Sequence, residues 1–178
     1  MIVAQQKRKT HIAEYLLYMW QVEDLIRAQG LDMDKIRGEL VAAYPQDEGT
    51  KKEIESWYAG LVRMMREEGV VQSGHIHLVQ HVMGEVEEVH QRLLQANDKA
   101  YKQTYSANTP NLEALRRRMP DKNLPDTEVA LTALYGTATM RMQGKPLSEG
   151  TQQAIAALGK WLDVLSERFK RYESGTLE

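Results

Sequence analysis

Apolar residues along this chain recur at intervals of three and four, and no stretch alternates with period two for long enough to suggest a strand. From Ile12 to Arg27, IAEYLLYMWQVEDLIR, a step of about 100° per residue gathers Ile12, Leu16, Met19, Trp20 and Ile26 into one broad sector. The spacing predicts a first helix from Gln6 to Gln29, stopped by Gly30, which suits the left-handed position after a helix end. A short second helix follows in LDMDKIRGELVAAY, with Asp32 or Asp34 as cap, Ile36, Leu40 and Val41 on one face, and Pro45 as its stop. Thr50 with Glu53 three positions later has the capping-box pattern and opens a third helix. Its buried face is expected to carry Ile54, Trp57, Tyr58, Leu61, Val62 and Met65, with Gly69 closing it.

Ser73 is the expected cap of a long fourth helix whose apolar stripe is Ile76, Val79, Met83, Val86 and Leu93, with Val82 and Val89 beside it. Its periodicity extends toward Tyr105, with Asn97 and Asp98 as the weak point. SANTP reads as a turn, after which Pro110 starts a short helix, NLEALRRRM, that Pro120 stops. The next helix, TEVALTALYGTATMRM, is apolar or small almost all round, with Glu128 and Arg141 as its charges. A helix without a polar face is normally surrounded by others, which predicts a central place in the bundle. Ser148 caps a last amphipathic helix carrying Ile155, Leu158, Trp161, Leu162, Leu165, Phe169 and Tyr172 at helical spacing.

This pattern predicts an all-α fold: an antiparallel bundle of about four main helices with two or three short ones, joined by short loops. At 178 residues the chain suits one domain spanning 1–178. A formal net charge of −2 provides no global basic field for nucleic acid or an anionic membrane. The chain has no cysteine, which excludes disulfides, thiol nucleophiles and thiolate metal sites and suits a reducing cytosol. No window approaches the roughly 18 consecutive apolar residues of a membrane span, and the N-terminus lacks a secretory apolar core. The expected location is the cytoplasm.

Candidate chemistry is sparse. Glu23 falls near the middle of the first helix's apolar sector, where an unpaired carboxylate costs several kcal/mol. An i,i+4 pairing with Arg27 accounts for it as a structural ion pair, and a polar group facing an internal pocket is the alternative. His90 lies within the apolar stripe of the fourth helix, three residues after Glu87, giving a single Glu-x-x-His where di-iron bundles use two. A core histidine bonded to a neighbouring helix explains it at least as well. Glu23, Arg27 and His90 are therefore the ligand-pocket candidates, with a meeting of Glu23 and His90 as the question to test. His77, His81 and Glu85 share one side of the fourth helix at metal-ligand spacing, but that side is opposite the apolar stripe, so a solvated face is the stronger reading. Arg116, Arg117 and Arg118 and the Lys7, Arg8, Lys9 cluster lack the aromatic interleaving of a nucleic-acid reader. No phosphate-cradling glycine loop, nucleophile elbow or His-Glu-x-x-His motif occurs, so no catalytic set and no cofactor are assigned.

The N-terminal block MIVAQQKRKTHIAEYLLYMWQVEDLIRA, with LPDTEVALTALYG and LSEGTQQAIAALGKWLDVLSERF later, resembles an uncharacterised domain-of-unknown-function family of small all-helical bacterial proteins. The resemblance covers nearly the whole chain and implies a helical fold and a bacterial cytoplasmic origin, with no activity to carry over. The expected function is non-enzymatic, through a protein partner or self-association. The alternative is a small-ligand-binding or metal-dependent enzyme with its site inside the bundle.

Overall fold

The computed structural model describes residues 2–96 and 98–176, and among them every regular element is helical. In chain order these are α1 (Ile2–Thr10), α2 (Ile12–Ala28), α3 (Met33–Lys35) running into a π-helical turn (Ile36–Val41), α4 (Glu48–Glu67), α5 (His77–Gln95), α6 (Lys99–Arg116), α7 (Asp126–Met142) and α8 (Glu149–Glu173). The all-α bundle stands as the periodicity predicts. Several boundaries do not, and each departure has a local cause.

The expected first helix is two. His11 is extended (φ −156°, ψ 100°), and its Nδ1 accepts the Glu14 N–H, so an imidazole caps α2 in mid-pattern. Gly30 takes the left-handed conformation foreseen for it, at φ 65°. α4 begins at Glu48 rather than at Thr50, because Asp47 accepts the Thr50 N–H at 3.0 Å and the Thr50 hydroxyl at 2.9 Å. Ser73 does not cap α5; Ile76 holds that position with no side-chain bond of its own. SANTP is no turn, since α6 runs through it with Pro110 inside. The carbonyl that Pro110 leaves without its helical donor belongs to Ser106, an exposed residue, so water can serve it. Buried Asn108 holds the same stretch from within, donating to the carbonyls of Thr104 (3.0 Å) and Ala157 (3.3 Å). Asn97 lies outside the described residues, and Asp98 caps α6 by accepting the Tyr101 N–H.

α7 is not enclosed, and the most widely contacted helices are α2, which meets α1, α4, α5, α7 and α8, and α8. α8 packs against α1, α2, α5, α6 and α7, and buries Leu158, Trp161, Leu162, Leu165 and Phe169 within one hydrophobic cluster that reaches from Ala4 to Phe169. Ser148 caps it as expected, accepting the Thr151 N–H. Only the first half of α7 is covered: Thr127, Val129, Ala130, Leu131 and Ala133 are buried, whereas Met140 and Met142 are exposed. The physical reason is composition. Ala, Gly and Thr make a helix read as apolar without supplying side chains that require burial, so a missing polar face is weak evidence for a central position.

Candidate functional site

α2 positions most of what matters. Its core face buries Ile12, Leu16, Met19, Trp20, Glu23 and Ile26 against the bundle. Glu23 is fully buried, and its two oxygens reach the segment that leads into α5. Oε1 accepts the Ile76 N–H at 2.9 Å, and Oε2 lies 2.5 Å from His75 Nδ1. Glu23 therefore supplies from another helix the N-terminal cap that α5 lacks in its own sequence, satisfying a backbone donor that burial would otherwise orphan. The His75 ring stacks on Trp20 with centroids 4.6 Å apart and planes at 16°. Trp20 in turn meets Tyr135 of α7 edge-on at 5.7 Å. The indole Nε1 has no hydrogen-bond partner among the described residues, so ring contacts are what hold Trp20.

Arg27 does not pair with Glu23. Its guanidinium bonds Asp24 at 2.9 Å and donates to the carbonyls of Val70 and Gly74. Both residues thus grip the 70–76 segment, Glu23 at its end and Arg27 at Val70 and Gly74.

His90 sits elsewhere. Glu23 is bonded to Ile76, and His90 lies fourteen residues further along the chain in α5, a rise of about 21 Å. That separation exceeds hydrogen-bond reach even through a water, so no shared Glu23–His90 pocket forms. The His90 ring is buried among Tyr101, Tyr105 and Trp161, all at edge-on or steeply inclined angles. Its Nδ1 is 2.5 Å from the Tyr101 hydroxyl, which also accepts the Trp161 indole N–H at 3.1 Å. The Tyr101 hydroxyl thus links the His90 ring to the Trp161 indole inside the core. Burial pushes the imidazole below its ordinary 6.5, against the opposing pull of Glu87 and Asp126. Beside it, burial and a 2.6 Å hydrogen bond to Asp126 push the Tyr105 phenol up to about 12.

The His77, His81, Glu85 row is solvated. Both imidazoles have side chains 75% exposed, and they face different acids, His77 toward Glu68 at 3.7 Å and His81 toward Glu85 at 3.8 Å. Among the described residues no three His, Asp or Glu side chains converge as a metal ion needs.

Two concavities open near these residues, one lined by Tyr135 and the other by His75. The larger, about 750 Å³, is a groove between α2 and the uncovered half of α7. α2 contributes Leu17, Tyr18, Gln21, Leu25 and Ala28, and α7 contributes Leu134, Tyr135, Ala138 and Met142. Spacings of three and four on both helices make two parallel stripes with a seat between them. At its edges Lys7 bonds Glu14 at 2.6 Å, and the Tyr135 hydroxyl donates to Asp24 at 2.6 Å. The smaller concavity, about 480 Å³, lies between the start of α5 and the start of α7 and is lined by His75, Gln80, Met83, Glu87, Thr127, Glu128 and Leu131 among others.

Sequence reasoning singled out Glu23 but missed the residues it works with. His75 was one of several histidines near α5, and its only local signal was the preceding Gly74, left-handed at φ 86° where the chain turns into the helix. Glu128 was visible as a lone acid in an apolar helix, although no cleft could be inferred from that. Tyr135 gave no signal at all.

An all-helical bundle whose second and seventh helices leave an apolar groove at the surface is the class of protein these features define. The chain belongs to the family described as Domain of unknown function (DUF4924), whose model matches residues 1–176. No curated protein and no solved structure matches it. No helix among the described residues is long and apolar enough to cross a membrane.

Proposed function

We propose that this is a one-domain, non-enzymatic protein of the bacterial cytoplasm that works by self-association, with the α2/α7 face as the contact. The observation that carries the reading is the uncovered second half of α7. Met142 is 77% exposed and stands at the edge of an apolar groove of about 750 Å³. In an isologous two-fold contact the exposed end of α7 in each copy can fill the groove of the other, because the same face serves both copies. Small residues at Gly136 and Ala138, both exposed, let a second helix approach α7 closely. The stripe on α2 includes Leu25, itself 36% exposed, so the apolar face continues across both helices. The lack of any cysteine agrees with a reducing compartment.

Sedimentation equilibrium tests this directly. The chain is expected to be a dimer at micromolar concentration, and Met142→Lys or Ala138→Arg is expected to yield a monomer with unchanged circular dichroism. A monomer at about 100 μM, a concentration at which even weak specific contacts are half-formed, sinks the proposal. So does a dimer indifferent to both substitutions.

A further inference from the structure

The smaller cleft has a chemistry that neither the groove nor the core explains. Its side-chain charges are Glu87, Glu128 and the titratable His75, and no lysine or arginine lines it. Both oxygens of Glu87 are occupied by neutral donors, the Thr127 hydroxyl at 2.6 Å and the Gln91 amide at 2.7 Å, so its charge has no cation beside it. Glu128 is half-buried and makes no hydrogen bond among the described residues. Burial raises its carboxyl above the ordinary value, with His75 pulling the other way and Asp121 adding to the rise. A carboxylate with no protein donor, opening on a cleft, is available to a cationic donor that enters it.

His75 is built to face that partner. The fully buried Glu23 carboxylate fixes the Nδ1 side of the ring, and Trp20 fixes its plane by stacking. In the neutral ring Nδ1 carries the proton that Glu23 accepts, which leaves Nε2 as a hydrogen-bond acceptor on the other side. Gln80 is held by its own bond to the His75 carbonyl at 2.6 Å. Met83 and Leu131 supply apolar wall. With the His75 ring neutral, the cleft offers a carboxylate and an imidazole acceptor over an apolar floor. Anions are disfavoured by the two carboxylates, and a metal ion by the absence of three convergent ligands among the described residues.

We propose that this cleft binds a small organic cation, a primary amine or guanidine-type compound, with Glu128 as its counter-charge and His75 Nε2 as a second acceptor. A volume of about 480 Å³ suits a ligand of modest size, with the ammonium or amidinium at Glu128 and its hydrocarbon part on Leu131 and Met83. The site is separate from the proposed self-association face, since the cleft and the groove share no lining residue.

The test is titration of the full chain by calorimetry with butylamine and benzamidine, alongside the neutral analogues butanol and benzamide and the anions butyrate and benzoate. At least one cation is expected to saturate a single site with Kd of about 1 mM or tighter, and its neutral and anionic analogues to bind at least about tenfold more weakly. Glu128→Gln, which keeps shape and removes charge, is expected to weaken the cation at least about tenfold without lowering the melting temperature. The ¹⁵N resonances of the His75 ring, assigned with a His75→Gln control, are expected to shift on binding in the native chain. No saturation by either cation up to about 10 mM overturns the proposal. Equal binding by Glu128→Gln, a silent His75 resonance, or saturation by Zn²⁺ or Mn²⁺ with no cation binding overturns it as well.

Discussion

The two ends of α5 each bury a polar side chain, and they do so in opposite ways. At the far end His90 is enclosed by three aromatic rings, and its Nδ1 is met by one phenol that also serves a tryptophan. At the near end Glu23 is as deeply buried, but its partner His75 has a side chain 26% exposed and lines a cleft. The first arrangement is closed: its hydrogen bonds join core residues to core residues, and the product is a locked packing of α5, α6 and α8. The second is open on one side, because a buried group holds a half-exposed one in place. Burial of a polar residue therefore does not by itself mark a functional site. What distinguishes the two ends is whether the network leads out to the surface.

That contrast can be broken in several ways. The largest effect is expected from Trp161→Ala at the closed end, where loss of a fully buried indole should cost about 3–5 kcal/mol in urea denaturation. A loss below about 1 kcal/mol would show that the aromatic enclosure is not what stabilises this end. Glu23→Ala comes next, at about 3 kcal/mol, since it leaves the Ile76 N–H and His75 Nδ1 without their acceptor. Here the loss should be local as well as global: amide exchange at residues 75–80 should accelerate more than at residues 88–94. Uniform acceleration along α5 would contradict the capping role assigned to Glu23.

Tyr101→Phe should cost about 1–2 kcal/mol, because it removes the hydroxyl shared by His90 and Trp161 while keeping the ring. Smaller again is the pH effect of His90. Its folded pKa lies below the unfolded value of 6.5, so below 6.5 the unfolded chain binds the proton more readily than the folded one. The stabilisation is thus fully present above pH 6.5 and is lost as pH falls from there toward the folded pKa, with a slope of at most about 1.4 kcal/mol per pH unit. Denaturation midpoints of the native chain and of His90→Phe, compared from neutral to mildly acid pH, check this. Parallel curves for the two would refute it. Met142→Lys should change stability by less than about 0.5 kcal/mol while dissolving the dimer, a separation expected only for a surface contact.

Much of the fold was legible in the chain. Three- and four-residue spacing is a local property of each segment, and it marked α2, α4, α5, α7 and α8, together with nearly all of the buried faces of α4, α5 and α8. Ser148 and Asp32 were readable as caps because their acceptors sit within three residues of the donors they serve. The candidate site was legible only as one awkward carboxylate. The continuity of α6 through Pro110 escaped because it rests on Asn108 reaching the Ala157 carbonyl of α8, and a proline normally signals a boundary.

By itself, then, the sequence determined that this chain forms amphipathic helices and which face of most of them is apolar, since both follow from side-chain order along a rigid periodic backbone. Only the tertiary structure decided what covers each face. It surrounded α2 and α8 rather than α7, left half of α7 at the surface, and brought Glu23 to a backbone donor 53 positions away. These outcomes depend on which helices run side by side, a relation between distant segments that no local spacing encodes. The cap of α5 and the cleft beside His75 exist only once α2, α5 and α7 have met.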